Sequence, residues 1–139
     1  MNGRAFLNTA RRLVGGKAEE DWRTAASRAY YALLLEGRET LVRWGFIVPS
    51  RDSLHTFVRL HFLYAAEPDL KRLGRTLEQL SLLRNRADYE LSAQRWFGTT
   101  AATKTAIIDA ANALQLLDQI DADPSRRAAA VASVKAAFP

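Results

Sequence analysis

Apolar residues recur every three or four positions along almost the whole chain, which is the spacing of one face of an α-helix. The first such stretch covers residues 4–14 and ends at the pair Gly15-Gly16. A second covers residues 18–44, and its first turn carries three acidic residues, where the helix dipole favours negative charge. The pattern therefore predicts a short helix followed by a long one.

The same periodicity resumes after a turn at residues 45–53. It predicts a shorter helix over 53–64 and a longer one that begins at Pro68, because proline is favoured in the first turn of a helix. The longer helix carries a seam of leucines that continues to Ala87 and delivers a polar segment on its last turns. These segments add two predicted helices and no predicted strand.

Residues 92–100 are predicted to form a loop, and residues 101–120 a further helix. Asp123-Pro124 predicts the start of a last helix, with aspartate as the N-cap. β-branched residues are sparse and never alternate over the length of a strand. The fold class that follows is all-α: a bundle of four to six antiparallel helices with no sheet.

The chain of 139 residues has the length of a single domain. We expect residues 1–122 to form the helical bundle. We expect residues 123–139, whose apolar stripe is thin and rich in alanine, to form a helix packed on the bundle or on a partner.

Composition narrows the class of protein. The hydrophobic content of 48% and charged content of 25% are those of a globular protein, and cysteine is absent, which excludes disulfides and thiolate metal sites. No apolar run reaches the roughly 18–20 residues that span a bilayer. We therefore expect a cytoplasmic protein without a membrane partner. The net charge of +5 permits attraction to phosphate, but no dense block of cations points to nucleic acid by itself.

Two short strings place polar side chains on helices that otherwise look apolar. The first is Arg84-Asn85-Arg86-Ala87-Asp88-Tyr89, in which Arg84 and Asp88 are four residues apart and share a helix face. One interpretation is an ion pair within the helix, worth about 0.2–0.5 kcal/mol, with Tyr89 at the edge of the core. The other is a ligand cleft in which Arg84 holds a phosphate and Asp88 orients Arg84 or accepts a hydrogen bond from a ribose hydroxyl.

The second string is Ser27-Arg28-Ala29-Tyr30-Tyr31-Ala32. Arg28 and Tyr31 are three residues apart, so they share a helix face. One interpretation packs Tyr31 between helices with its hydroxyl bonded to a carboxylate such as Asp88. A second interpretation depends on a family resemblance.

Together the two strings resemble motifs of the helical HEPN family, in whose small prokaryotic members a similar pair lies a few dozen residues apart. In that family the first string faces the arginine-containing helix, so the resemblance implies that Arg28 or Tyr31 lines the same cleft as Arg84. The resemblance implies a homodimer that brings the Arg84 helices close to a two-fold axis, with a shared polar cleft. It also implies RNA or nucleotide binding. A separate minimal nucleotidyltransferase is the partner that the resemblance implies, within a toxin–antitoxin-like or defence system. The functional interpretation requires the Arg84 guanidinium to point into an open hollow.

One departure from the family pattern concerns catalysis. The RNA-cleaving members carry a histidine that, counted from Arg84, would fall at position 89, 90 or 91, where this chain has Tyr89, Glu90 and Leu91. A phenol with a pKa near 10 is a poor base at neutral pH. No catalytic residue is therefore assigned, and whether the protein is an enzyme stays open. The predicted cleft residues are Arg84, Asp88, Tyr89, Arg28 and Tyr31.

Three hypotheses remain. The first is a HEPN-type homodimeric binding module, the second a metal-independent ribonuclease toxin with a degenerate site, and the third a structural helical adaptor. His55 and His61 lack a companion at metal-ligand spacing, so we predict no metal site, and we interpret His55 as a packing or capping residue. No glycine-rich phosphate loop is present, and no cofactor is predicted. Exposed apolar residues at Leu34, Leu35, Trp96 and Phe97 are expected to indicate an interface.

Overall fold

The computed structural model describes residues 1–92 and 94–139, with only the backbone of Gln94. Over these residues the protein is all-helical, with seven helices and no strand, which confirms the predicted fold class. The helices are α1 (Arg4–Val14), α2 (Glu19–Arg43), α3 (Asp52–Leu63), α4 (Pro68–Tyr89), α5 (Gln94–Phe97), α6 (Ala101–Ala122) and α7 (Pro124–Ala137).

The six longer helices lie where the periodicity predicts them, within two residues at each boundary. The start of α7 has the predicted cap, because the Asp123 side chain accepts hydrogen bonds from the amides of Ser125 and Arg126 at 3.0 and 3.2 Å. The N-cap of α4 is Glu67, whose carboxylate accepts from the Leu70 amide at 3.0 Å. Sequence reasoning identified Pro68 there but not its cap.

The predicted loop at 92–100 is wrong for part of its length. Residues Gln94–Phe97 form the short helix α5, and Phe97 is fully buried within a small cluster with Ala26 and Ala87. Burial of this aromatic ring against α2 and α4 favours a helical turn over an open loop. Ala93, also in the predicted loop, lies outside the described residues.

The long helix α2 is the centre of the bundle, with α1, α4 and α6 packed around it and α3 at its second half. Its alanines allow close approach, since Ala25, Ala29 and Ala32 are all fully buried. Larger side chains such as Leu33 and Leu41 fill the remaining space at 1% and 0% exposure. Because α2 touches most of the bundle, polar residues on it can meet partners from several helices.

Helices α3 and α4 approach each other closely at Gly74. A Cβ atom at this position would lie 2.5 Å from the backbone nitrogen of Leu63 and 2.6 Å from its Cα. Backbone atoms cannot move aside as a flexible side chain can, so the crossing requires glycine. The contact fixes α3 against α4 near the start of α4.

Helix α7 packs on α6 and α3 through Ala130 and Val134, which are buried. Beyond its end, the Phe138 ring stacks on His61 at 3.9 Å between ring centroids, and His61 stacks in turn on Phe57 at 3.7 Å. The Ser133 hydroxyl also accepts a hydrogen bond from the Glu67 amide at 2.9 Å. These contacts join α7 to the bundle within one chain.

Two of the four expected interface residues are buried, and the other two, Leu35 and Trp96, are half-buried. Leu34 and Phe97 are 1% and 0% exposed, so the prediction that they lie on an exposed face is wrong, because both fill the core. Across the described helices, none combines the length and apolar character needed to cross a membrane.

Candidate functional site

Arg84 lies where α4 packs on α2, against the two tyrosines of the second string. Its guanidinium carbon is 5.4 Å from the ring centroids of both Tyr30 and Tyr31, within range of cation–π attraction. Only 14% of the Arg84 side chain is exposed. Arg84 lines none of five surface grooves in residues 1–92 and 94–139. The structure thus brings the two strings together, but these grooves do not include the open hollow at the Arg84 guanidinium that the functional interpretation requires.

The hydrogen bonds of Arg84 leave part of its guanidinium unsatisfied. One terminal nitrogen, Nη2, donates to the Tyr31 hydroxyl at 3.1 Å, and the other, Nη1, donates to Oδ1 of Asn85 at 2.8 Å. Nε is buried and has no hydrogen-bond partner among the described residues. A guanidinium has five N–H donors, so three of them, including the buried Nε–H, have no hydrogen-bond partner among the described residues.

Asp88 is the carboxylate nearest to Arg84, as the spacing predicts. Its Oδ2 lies 3.8 Å from the Nε of Arg84, an ion pair without a hydrogen bond, and it accepts a long bond of 3.4 Å from the Ser27 hydroxyl. The expectation that the Tyr31 hydroxyl bonds Asp88 is wrong, because that hydroxyl accepts from Arg84 instead. Asp88 is 35% exposed, so solvent weakens its attraction for the guanidinium.

The other two cleft residues differ in their placement. The Arg28 guanidinium carbon lies 5.3 Å from the Tyr31 ring centroid and 5.1 Å from that of Phe6, which holds it beside the cluster. Tyr89 is 73% exposed at the end of α4. No hydrogen bond or ring contact among the described residues joins the Tyr89 side chain to the cluster. Four of the five predicted residues therefore gather in one place, and Tyr89 projects into solvent.

A tyrosine–histidine pair completes the cluster. The Tyr30 hydroxyl lies 2.6 Å from Nδ1 of His55, and the two rings are stacked with centroids 5.7 Å apart. Sequence reasoning interpreted His55 as a packing or capping residue. It missed the contact with Tyr30, because the histidine on α3 and the tyrosine on α2 are 25 positions apart. No spacing rule within a helix reports such a contact.

The two ionisable groups of this pair are both held neutral near pH 7. Burial raises the pKa of Tyr30 above 10.0, although the Arg84 charge and a hydrogen bond from Ser81 oppose the rise. Burial lowers the pKa of His55 below 6.5, and the Arg84 charge lowers it further against the influence of Asp52. Either the phenol donates to Nδ1 or a protonated Nδ1 donates to the phenol oxygen, and the tautomer of His55 decides which.

A further arginine adds positive charge around Tyr30. Arg59 lies one helical turn after His55, and its charge, like that of Arg84, lowers the pKa of Tyr30. The Nε atoms of Arg59 and Arg84 are the buried side-chain polar atoms without a hydrogen-bond partner in the described chain. With Arg28, three guanidiniums surround the two tyrosines, and Asp88 is the carboxylate paired with one of them.

The end of the site helix is held by Arg23 of α2, which is 7% exposed. Its guanidinium donates to the carbonyl oxygens of Arg86, Ala87, Glu90 and Leu91 at 3.0–3.1 Å, and its Nε pairs with Glu19 at 3.1 Å. The Arg86 carbonyl also accepts from the Glu90 amide, but carbonyls at the C-terminus of a helix generally lack partners within the helix, so Arg23 acts as an internal cap for α4. Sequence reasoning missed this role.

The chemistry of the cluster is that of cations and hydroxyls. No group of three or more metal-ligating side chains occurs in the part of the chain that the structure describes. Guanidiniums, phenols and a neutral imidazole N–H are all donors suited to an oxyanion. No protein-family model, curated protein or solved structure matches the chain.

Proposed function

We propose that the protein is a HEPN-type homodimeric binding module that takes a phosphate group of RNA or of a nucleotide at Arg84. The observation that supports this proposal is the incomplete pairing of a guanidinium that is only 14% exposed. A charge that is largely removed from water is stable only when it is paired and hydrogen-bonded. Asp88, at 3.8 Å and without a hydrogen bond, provides a weak counter-charge.

An anion would pair with the N–H donors and the positive charge of this site better than a further neutral group would. Phosphate oxygens accept charge-assisted hydrogen bonds from guanidinium in the same geometry as carboxylates do. Arg28 and Arg59 beside the tyrosines add positive charge that one carboxylate does not neutralise. Tyr31 and Asn85 orient the guanidinium plane, so a ligand meets donors that are already positioned.

The proposed partners follow from the resemblance of the two strings to the HEPN motifs. A second copy of this chain and a separate minimal nucleotidyltransferase would act with it, in a toxin–antitoxin-like or defence system. The sequence lacks the Gly-Ser and paired aspartate motif of such a transferase. Any nucleotidyl transfer in the system would therefore be carried out by another chain.

Binding of a fluorescently labelled oligoribonucleotide, followed by anisotropy at low salt, tests the proposal. Arg84→Ala should weaken binding about tenfold or more, since a hydrogen bond to a charged group contributes about 1.5–3 kcal/mol. Arg12→Ala is the matched control, because it removes the same charge from an exposed site on α1. If the Arg84→Ala and Arg12→Ala variants bind the oligoribonucleotide with equal affinity, the proposal is wrong. The third hypothesis then remains, a structural adaptor in which Arg84 and Asp88 serve stability alone.

The second candidate function is a metal-independent ribonuclease, and the position of His55 is the observation that favours it. A histidine from α3 lies next to the arginine of α4, although position 89, 90 or 91 carries none. For cleavage, Nε2 of His55 would accept the proton of a ribose 2′-hydroxyl. The 2′-oxygen would then attack phosphorus and form a 2′,3′-cyclic phosphate, while the P–O5′ bond breaks and the departing 5′-oxygen takes a proton from water. Nε2 is free to accept in the tautomer that carries the imidazole proton on Nδ1, which then donates to the Tyr30 oxygen.

A cleavage assay with a chelator present separates binding from catalysis. If the protein cleaves RNA, His55→Gln and Arg84→Ala should each abolish cleavage while His61→Gln, at the other histidine, retains it. Binding without cleavage by the unmodified protein supports the first candidate. Cleavage that survives in His55→Gln would exclude the proposed base.

A further inference from the structure

One side of α7 and the end of α2 enclose an open groove of about 500 Å³. Much of its lining is apolar, and the apolar residues are Trp44, Pro124, Ala128, Val131 and Ala132. Trp44 follows Tyr31 by about 20 Å along the axis of α2, so the groove is remote from the Arg84 site. A ligand in the groove would therefore leave the arginine site free.

The shape of the groove suits a helix. Its lining on α7 runs from Pro124 to Lys135, which is about three helical turns or 16 Å. Side chains four positions apart form two neighbouring ridges there, which are Pro124, Ala128 and Ala132, and Arg127, Val131 and Lys135. Helices pack by placing a ridge of one between two ridges of the other. The small, exposed side chains of Ala128 and Ala132 leave room for a second helix to approach α7 closely.

The groove is positively charged. Its three cations are Arg43, Arg127 and Lys135, and Arg43 pairs with Asp121 at 3.0 Å. Arg127 donates only a long hydrogen bond, 3.4 Å, to the Asp121 carbonyl oxygen. No ion pair among residues 1–92 and 94–139 involves Arg127 or Lys135. Two cations beside an apolar lining are therefore available to carboxylates of another molecule.

We infer that this groove binds an acidic amphipathic helix of a partner protein, with its carboxylates directed at Arg127 and Lys135. These two cations are about 12 Å apart along α7. Glutamates or aspartates about seven or eight positions apart in the partner helix would reach both of them. Apolar side chains between those carboxylates would cover Val131 and the alanines, which is the arrangement by which an amphipathic helix docks into a groove.

The same lining fits a nucleic acid or a membrane less well. Trp44 is 7% exposed and its indole N–H donates to Asp121 at 2.9 Å, so the ring offers no open face on which a base could stack. A helix that lies on a membrane presents large apolar side chains such as Trp, Phe or Leu to the lipid. The exposed apolar side chains of α7 at the groove are instead the small ones of Ala128 and Ala132.

Fluorescence anisotropy on the full chain tests this inference with a synthetic peptide. The probe is a fluorescein-labelled, alanine-rich helical peptide of about 20 residues, with leucines between two glutamates at the stated spacing. Arg127→Glu and Lys135→Glu should each raise the Kd for this peptide about tenfold or more. Arg12→Glu reverses the same charge at an exposed site on α1 and should change the Kd much less. A peptide with glutamines in place of the glutamates should bind at least tenfold more weakly.

An exchange of charges distinguishes specific pairing from general attraction. The double variant with Arg127→Glu and Lys135→Glu should lose the acidic peptide and bind a peptide in which lysines replace the glutamates. If the wild-type protein does not bind the acidic peptide, the inference is wrong. It is also wrong if Arg127→Glu, Lys135→Glu and Arg12→Glu change the Kd equally.

The position of the peptide along α7 is tested without changing charge. Ala132→Gln places a longer side chain where the partner helix should approach, so it should raise the peptide Kd about fivefold or more. Ala129→Gln is the matched control, because Ala129 is exposed on α7 and does not line the groove. Both variants should retain the helical circular dichroism spectrum. An unchanged Kd in Ala132→Gln would show that the peptide binds elsewhere.

The remaining controls separate this groove from the Arg84 site and from other occupants. Arg84→Ala should leave the peptide Kd unchanged, and Arg127→Glu should weaken oligoribonucleotide binding no more than Arg12→Glu does. Competition by an oligoribonucleotide or by phosphatidylserine vesicles that Ala132→Gln abolishes would assign the groove to one of those ligands and overturn the inference. Dimerisation of the wild-type protein that Ala132→Gln abolishes would assign it to a second copy of the chain, with the same consequence.

Discussion

The Tyr30 hydroxyl lies 2.6 Å from Nδ1 of His55, and this contact joins α2 to α3 beside the guanidinium of α4. Tyr30 is 2% exposed, so its hydroxyl would lose this partner if the histidine were absent, with little solvent to replace it. A buried hydroxyl without a hydrogen bond is costly, which makes the pair a structural link as well as a possible site component. The contribution of this pair to the stability of the fold can be measured without a ligand.

Tyr30→Phe should lower the free energy of unfolding by about 1 kcal/mol, because it removes one hydrogen bond and leaves Nδ1 of His55 without that partner. Urea unfolding followed by circular dichroism measures the change. Tyr64→Phe removes a hydroxyl from a side chain that is 59% exposed, and it should have little effect. Equal losses in the two variants would mean that the Tyr30–His55 contact contributes nothing to the fold.

Stability should depend on pH through the two histidines. Burial lowers the pKa of both His55 and His61 below 6.5, with the Arg84 charge lowering that of His55 further. The unfolded chain then binds protons more readily than the folded one. The stabilisation is complete above the unfolded pKa of about 6.5 and is lost as the pH falls through the lower folded values.

Thermal unfolding between about pH 8 and pH 5 checks this dependence, and the Tm should fall over the lower half of that range. The variants His55→Gln and His61→Gln each remove one of the two groups, so each should show a shallower fall than the wild-type protein. A Tm that rises on acidification would have the wrong sign for two histidines held neutral by burial.

Arg23 should be among the most important single side chains for the end of α4. Arg23→Ala leaves the carbonyl oxygens of Arg86, Ala87, Glu90 and Leu91 without this donor, and we expect a loss of about 2–4 kcal/mol. Thr24→Ala, at the exposed neighbouring position, should stay within about 0.5 kcal/mol. Amide exchange at Glu90, whose N–H donates to the Arg86 carbonyl at 3.0 Å, should accelerate in Arg23→Ala alone.

The helices could be predicted from the sequence because their signal is local. The leucine seam of α4 and the cap at Asp123 depend on residues within a few positions of one another. The helix α5 was missed because four residues are too few to establish a period, and its stability comes from burial of Phe97.

The site could be predicted only in part, because the sequence pattern reports contacts within one helix and does not report contacts between helices. Arg84 and Asp88 share a helix face, so their proximity follows from spacing. The contact of Arg84 with Tyr31 spans 53 positions and that of Arg23 with the Ala87 carbonyl spans 64, and packing of α2 on α4 decides both. Within one helix, Arg23 looks like an ordinary surface residue, and nothing in the local sequence indicates four carbonyl partners.

The crossing of α3 and α4 gives the last prediction. Gly74→Ala should lower the free energy of unfolding by about 1–3 kcal/mol, since a Cβ atom there would meet the Leu63 backbone at 2.5 Å and force the two helices apart. Gly15→Ala is the matched control. Gly15 has a φ of −78° and its nearest contact, the Arg12 carbonyl oxygen, is at an ordinary 3.4 Å. That variant should be neutral or slightly stabilising, because alanine restricts the unfolded chain. If Gly74→Ala unfolds at the wild-type urea concentration, the close approach of α3 and α4 is wrong, and with it the position of His55 beside Arg84.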